Sequence, residues 1–100
     1  MTDPKVKLPA PEVFKHNRKT GIFSWSAVEG AEGYELEYSQ DTEPNVWKLA
    51  FRVPDLSGGW LPQYPGDYKF RLRGVTKIDG EWIDGAWSEI ITATLPARKG

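Results

Sequence analysis

The side chains able to do chemistry are few in kind: fourteen carboxylates, one histidine and no cysteine, beside five tryptophans that hold ligands by contact alone. His16 sits in the basic run Lys15-His16-Asn17-Arg18-Lys19. A single imidazole with no thiolate is a poor start for a zinc centre or for a Ser-His-Asp triad. The run reads as a solvated turn, with contact to an anion or acidic partner as its functional alternative. Glu35 and Glu37 share one face of a strand, about 7 Å apart. General acid–base work needs one of two such carboxyls in an apolar pocket; nothing around them spells such a pocket, and they read as charges on a wet sheet face. Asp79, Glu81 and Asp84 cluster late in the chain, but calcium needs six to eight oxygens and the EF-hand spacing is absent. Their Asp-Gly pairs read as turns. Neither GxxxxGK[ST] nor GxGxxG occurs, so no phosphate loop is expected. Asn-x-Ser/Thr and Arg-Gly-Asp are absent as well. The expectation is a chain without catalytic residues, cofactor or metal.

The tryptophans carry the positive signal. One or two would fill the core of a domain this size, and there are five. Trp25 is expected in the core. Trp47, on one face with Leu49 and Phe51, is expected half-buried, and Trp87 over the core edge near the last strand. Trp60 and Trp82 are harder to bury. Trp82 lies in Asp79-Gly80-Glu81-Trp82-Ile83-Asp84-Gly85, read as a loop tip between two turns. An indole beside an isoleucine at such a tip is an interface anchor, and flat aromatic faces also stack on sugars. The expected partner-binding residues are Trp82, Ile83, Glu81 and Trp60. The structural alternative is that Trp82 folds back onto the sheet or packs on a neighbouring domain.

These residues must be positioned by short extended segments. The chain has 100 residues and 11.3 kDa, the size of one domain. Eight prolines and ten glycines rarely leave room for a helix. Thirteen basic against fourteen acidic residues leave a charge of -1, unlike a nucleic-acid module. No run approaches the roughly 20 apolar residues of a membrane helix, and Met1-Thr2-Asp3-Pro4-Lys5 has no signal-peptide character. Alternation predicts strands over 12–15, 22–26, 34–38, 46–53, 58–61, 68–75 and 88–94. If 34–38 and 68–75 are neighbours, Glu35 and Glu37 face Lys69, Arg71 and Arg73. The spacing predicts a seven-stranded antiparallel sandwich over residues 9–95, after an extended lead-in (1–8) and before a flexible tail (96–100).

Phe23-Ser24-Trp25, then Gly33-Tyr34-Glu35-Leu36-Glu37-Tyr38, then Tyr68-Lys69-Phe70-Arg71-Leu72-Arg73-Gly74-Val75, then Trp87-Ser88, resemble a fibronectin type III domain. The resemblance implies an all-β, immunoglobulin-like Greek-key sandwich. Strands A, B and E form one sheet, and C, C′, F and G the other. It also makes Tyr68 a tyrosine corner whose hydroxyl bonds backbone upstream. Pro62 stands where the family usually has leucine, and Gly74 where it often has alanine. The shortened Pro65-Gly66-Asp67-Tyr68 resembles modules of bacterial surface and phage tail proteins. The implied role is a non-catalytic spacer or adhesion unit of a larger extracellular, cell-surface or virion protein, monomeric when isolated. It would meet protein or cell-surface glycan through its end loops, and neither nucleic acid nor membrane. The alternatives are a phage tail component binding virion proteins or host glycan, and an accessory domain of a secreted bacterial polysaccharide hydrolase.

Overall fold

A computed structural model describes residues 8–97. Residues 1–7 of the expected lead-in and 98–100 of the expected tail lie outside that range. The elements are β1 (Phe14–Asn17), β2 (Ile22–Trp25), β3 (Gly33–Gln40), β4 (Lys48–Val53), β5 (Ser57–Gly59), β6 (Gly66–Ile78), β7 (Glu81–Asp84) and β8 (Ile91–Leu95). They form two antiparallel sheets. One has the order β1-β2-β5; the other runs β4-β3-β6-β7, with β8 also paired to β6. The expected division of strands between two layers is therefore present.

Alternation explains the interior. Phe14, Phe23 and Trp25 from the small sheet meet Tyr34, Leu36, Tyr68, Phe70, Leu72, Ala93 and Leu95 from the large one. Phe23, Leu36, Phe70 and Leu72 are fully buried, and each such side chain stabilises the fold by about 1.5–3 kcal/mol. The Tyr68 hydroxyl donates to the Tyr64 carbonyl at 2.6 Å, across the corner leading into β6. Pro62 is fully buried in the segment before it. Gly74 leaves no room for alanine without adjustment: a methyl there would sit 3.1 Å from Ala31 and 3.4 Å from Val28.

The expected first strand 12–15 shifts to Phe14–Asn17. Two larger differences have clear causes. Sequence alternation put Trp47 and Leu49 on the face of Phe51, but β4 carries a bulge. Phe51 pairs with Leu36, whereas Leu49 pairs with the next residue, Glu37, leaving Ala50 over. The extra residue reverses the phase. Phe51 and Val53 pack on the core, while Leu49 is 51% exposed.

The second difference is an eighth strand. Residues 79–85, read as a loop, contain a tight hairpin. Ile78 pairs with Glu81, so the turn is Asp79-Gly80, both at positive φ, 51° and 82°, as a two-residue hairpin turn requires. β7 and β8 lie on the same edge of β6, pairing with Val75–Ile78 and Gly66–Phe70 respectively. The expected last strand, 88–94, starts later and runs over Ile91–Leu95, and a break separates it from β7. Ser88 spans the break: its amide donates to Leu72 O at 2.7 Å, and its Oγ accepts from Leu72 N at 3.0 Å. Because Ser88 is buried, Ser88→Ala leaves the Leu72 amide unpaired and costs about 1–3 kcal/mol. Thermal unfolding of the two proteins checks this; equal midpoints would contradict the bridging role.

Leu8 belongs to the packed unit rather than to an extended lead-in. Its side chain is 3% exposed, and its carbonyl accepts from Ala86 N at 3.0 Å. A β-carbon on Gly85 would lie 2.7 Å from Leu8 Cβ, so the close approach requires glycine there. Leu8 also touches the space beside Gly30, at the pole where β3 starts. Leu95 pairs with Gly66 at the other pole.

Candidate functional site

The outer face of the larger sheet gathers most of the aromatic and charged residues singled out in the sequence. β3 and β6 pair Glu35 with Arg73 and Glu37 with Arg71, as the facing charges predicted. Glu37 accepts from Arg71 at 2.7 Å. Glu35 is no wet surface charge: it is 4% exposed. One carboxylate oxygen accepts from Arg73 Nε at 2.9 Å and the other from Arg52 Nε at 2.8 Å, with Arg52 Nη2 also bound. Burial pushes its carboxyl up, but these hydrogen bonds and the two guanidinium charges more than offset that and hold it below the ordinary carboxylate range. Asp84 pairs with Arg73 at 3.3 Å.

Tryptophans interleave with these arginines. The Arg71 guanidinium lies 4.2 Å from the Trp47 ring centre and 4.0 Å from that of Trp87, and Arg73 lies 4.2 Å from Trp87. Residues 71 and 73 are about 7 Å apart along the strand, which seats the Trp87 indole between their side chains. Trp87 therefore stacks on the outer face instead of covering the core edge. The β4 bulge turns Trp47 outward to join it. Arg52 completes the row, 4.8 Å over the Trp82 ring. Trp82 and Arg52 stand on β7 and β4 and meet by reaching across β6 and β3. The residues paired there are Val75, fully buried yet outside the core cluster, and Gly33, which has no side chain.

The four expected contact residues separate. Trp82 is 42% exposed and Ile83 half-buried; with exposed Glu81 they lie on β7, not at a loop tip. The hairpin extends beyond Gly33, the first residue of β3, which pairs with Val75. Glu32 fastens its base, accepting from Thr76 Oγ1 at 2.7 Å and Lys77 N at 3.0 Å. These bonds hold the Glu32 carboxyl below its ordinary range. Trp60 is elsewhere. It is drawn inward at the other pole, its ring centre 4.4 Å from Tyr38 and edge-on to Tyr68 and Phe70.

His16 departs from the solvated-turn reading. It lies in β1 with its ring 4.4 Å from Phe23, and Nε2 is buried without a partner among the described residues. Burial, then the Arg18 charge, lowers its pKa from the ordinary 6.5. The unfolded chain therefore takes up the proton first. Stability is full above about pH 6.5 and is lost as pH falls towards the lowered folded value. His16→Leu removes that step. Urea midpoints measured from about pH 7 to about pH 5 check it; identical pH slopes in both proteins would refute it.

The Arg–Trp rows were not foreseen from sequence. Their signal was present in the Lys69, Arg71, Arg73 alternation and in tryptophans surplus to the core. Among the described residues, no three His, Asp or Glu side chains come together to hold a metal ion. No protein-family model matches the chain, and no curated protein matches it significantly.

Proposed function

We propose that the chain is a fibronectin type III-like module: a non-catalytic spacer and interaction unit of a larger extracellular, cell-surface or virion assembly. The strand division and the Tyr68 corner support the family reading. The observation that carries the role is the placement of the first and last described segments, at Leu8 and Leu95. The chain enters beside Gly30 and Gly85 and leaves beside Gly66, at opposite poles of a body whose long axis is 50 Å. Modules joined in that way extend end to end. The β6–β7 hairpin stands at the entry pole and offers Trp82, Ile83 and Glu81 to a protein or cell-surface glycan partner. A rigid sandwich holding such a hairpin gives a partner a preorganised surface.

The test is small-angle scattering from two copies joined head to tail. A maximum dimension near twice that of one module is expected. A dimension close to that of a single module would show the copies folding onto each other and overturn the spacer role.

A further inference from the structure

At the exit pole, away from the hairpin, a cleft of about 120 Å³ opens between the sheets beside Trp60 and Tyr38. We propose that it binds an extended, proline-containing peptide segment with an acidic flank. The cleft holds roughly four waters' worth of space, enough for a single ring of a ligand and not for a folded element. Its floor is already satisfied. The Tyr68 hydroxyl donates to Tyr64 O and accepts from Gln40 Nε2 at 3.1 Å. Its rim is not: among the described residues no group accepts from Trp60 Nε1 or from the Gln63 amide, and the Trp60 nitrogen is not among the buried unpartnered atoms.

Stacked aromatics with outward donors suit a polyproline segment. Its pyrrolidine rings are apolar and carry no N–H needing an acceptor, while its carbonyls point outward as acceptors. A tilted contact with Tyr38 and edge contacts with Tyr68 and Phe70 fix the Trp60 rotamer before binding, so little ordering remains to oppose association. Lys48 is the single charged residue of the lining; its only carboxylate neighbour among the described residues, Glu43 at 3.9 Å, is a half-exposed and therefore weak partner that an acidic residue beside the prolines can replace. This inference does not depend on the hairpin or on the spacer role.

The test follows indole N–H resonances of the intact chain while an acetylated Pro-Ala-Pro repeat peptide ending in glutamate is added. A saturable shift of the Trp60 resonance with Trp82 unmoved is expected. Trp60→Phe, whose binding is followed on the Tyr64 ring resonances instead, keeps the aromatic contact and weakens binding about tenfold, the loss of one hydrogen bond of about 1.4 kcal/mol. Gln63→Ala and Lys48→Glu, at exposed positions, leave the spectrum folded and weaken binding roughly threefold each. No shift at millimolar peptide, movement of Trp82 instead, a response to cello-oligosaccharide but not to peptide, or unchanged binding by all three variants would overturn the proposal.

Discussion

Trp25→Ala lowers stability by about 3–5 kcal/mol, the range for removing a large aromatic from a packed interior. Trp25 is 5% exposed, ends β2, and packs on Tyr34 and Phe51 with ring centres 5.7 and 6.1 Å away. It thus joins the small sheet to both β3 and β4, and no single neighbour can collapse into the space it leaves. With a urea slope of about 1–1.5 kcal/mol per molar, the midpoint drops by roughly 2–5 M. Trp25→Phe costs much less than its lost volume suggests, because the indole N–H has no acceptor among the described residues and its removal relieves that debt. A midpoint for the alanine variant within a few tenths molar of wild type would show that the two sheets are not held together at this ring.

Glu35→Gln is the second large effect, about 2–3 kcal/mol. Breaking a buried ion pair costs about 3–5 kcal/mol when the remaining charge has no escape. Arg73 is only 19% exposed, but Arg52 at 41% can turn to water, which reduces the loss. The same substitution alters acid unfolding. The folded carboxyl lies below its ordinary 4.5, so the unfolded chain is protonated first. The contribution of Glu35 is complete above about pH 4.5 and disappears as pH falls through the depressed folded value. The variant loses the Glu35 part of that slope and keeps the part from Glu32, whose carboxyl is shifted the same way. Urea titrations at neutral and acid pH read both effects. Equal stability at neutral pH would mean that the arginines find other partners without loss.

The layers were legible because their signals are local. Tyr34-Glu35-Leu36 and Tyr68-Lys69-Phe70-Arg71-Leu72 alternate cleanly, and alternation dictates which face is buried. The ion pairs followed once the two strands were placed side by side. What escaped was non-local or hung on one residue. Ala50 looks like any strand residue, yet as the bulge it sends Trp47 and Leu49 to the opposite face. Asp79-Gly80 was read as a turn, but the short alternation of Thr76-Lys77-Ile78 and Glu81-Trp82-Ile83 on either side is the fuller hairpin signature. The buried Glu35 could not be read from its neighbours, since the partners that hold its carboxylate, Arg52 and Arg73, lie 17 and 38 positions away. Trp60 and Trp82, alike as surplus indoles in sequence, part because only Trp60 faces the gap between the layers.

The β4 bulge has a further consequence for solubility. β4 is the outermost strand of its sheet, and a regular outer strand offers unpaired backbone groups as a template for open-ended association. The leftover Ala50 breaks the spacing of those groups, and the charged side chains of Lys48 and Arg52 flank the irregularity. A foreign strand arriving there finds no continuous register to extend. The protein guards its border by geometry and charge, so concentrated solutions should resist fibril growth until the bulged residue is deleted.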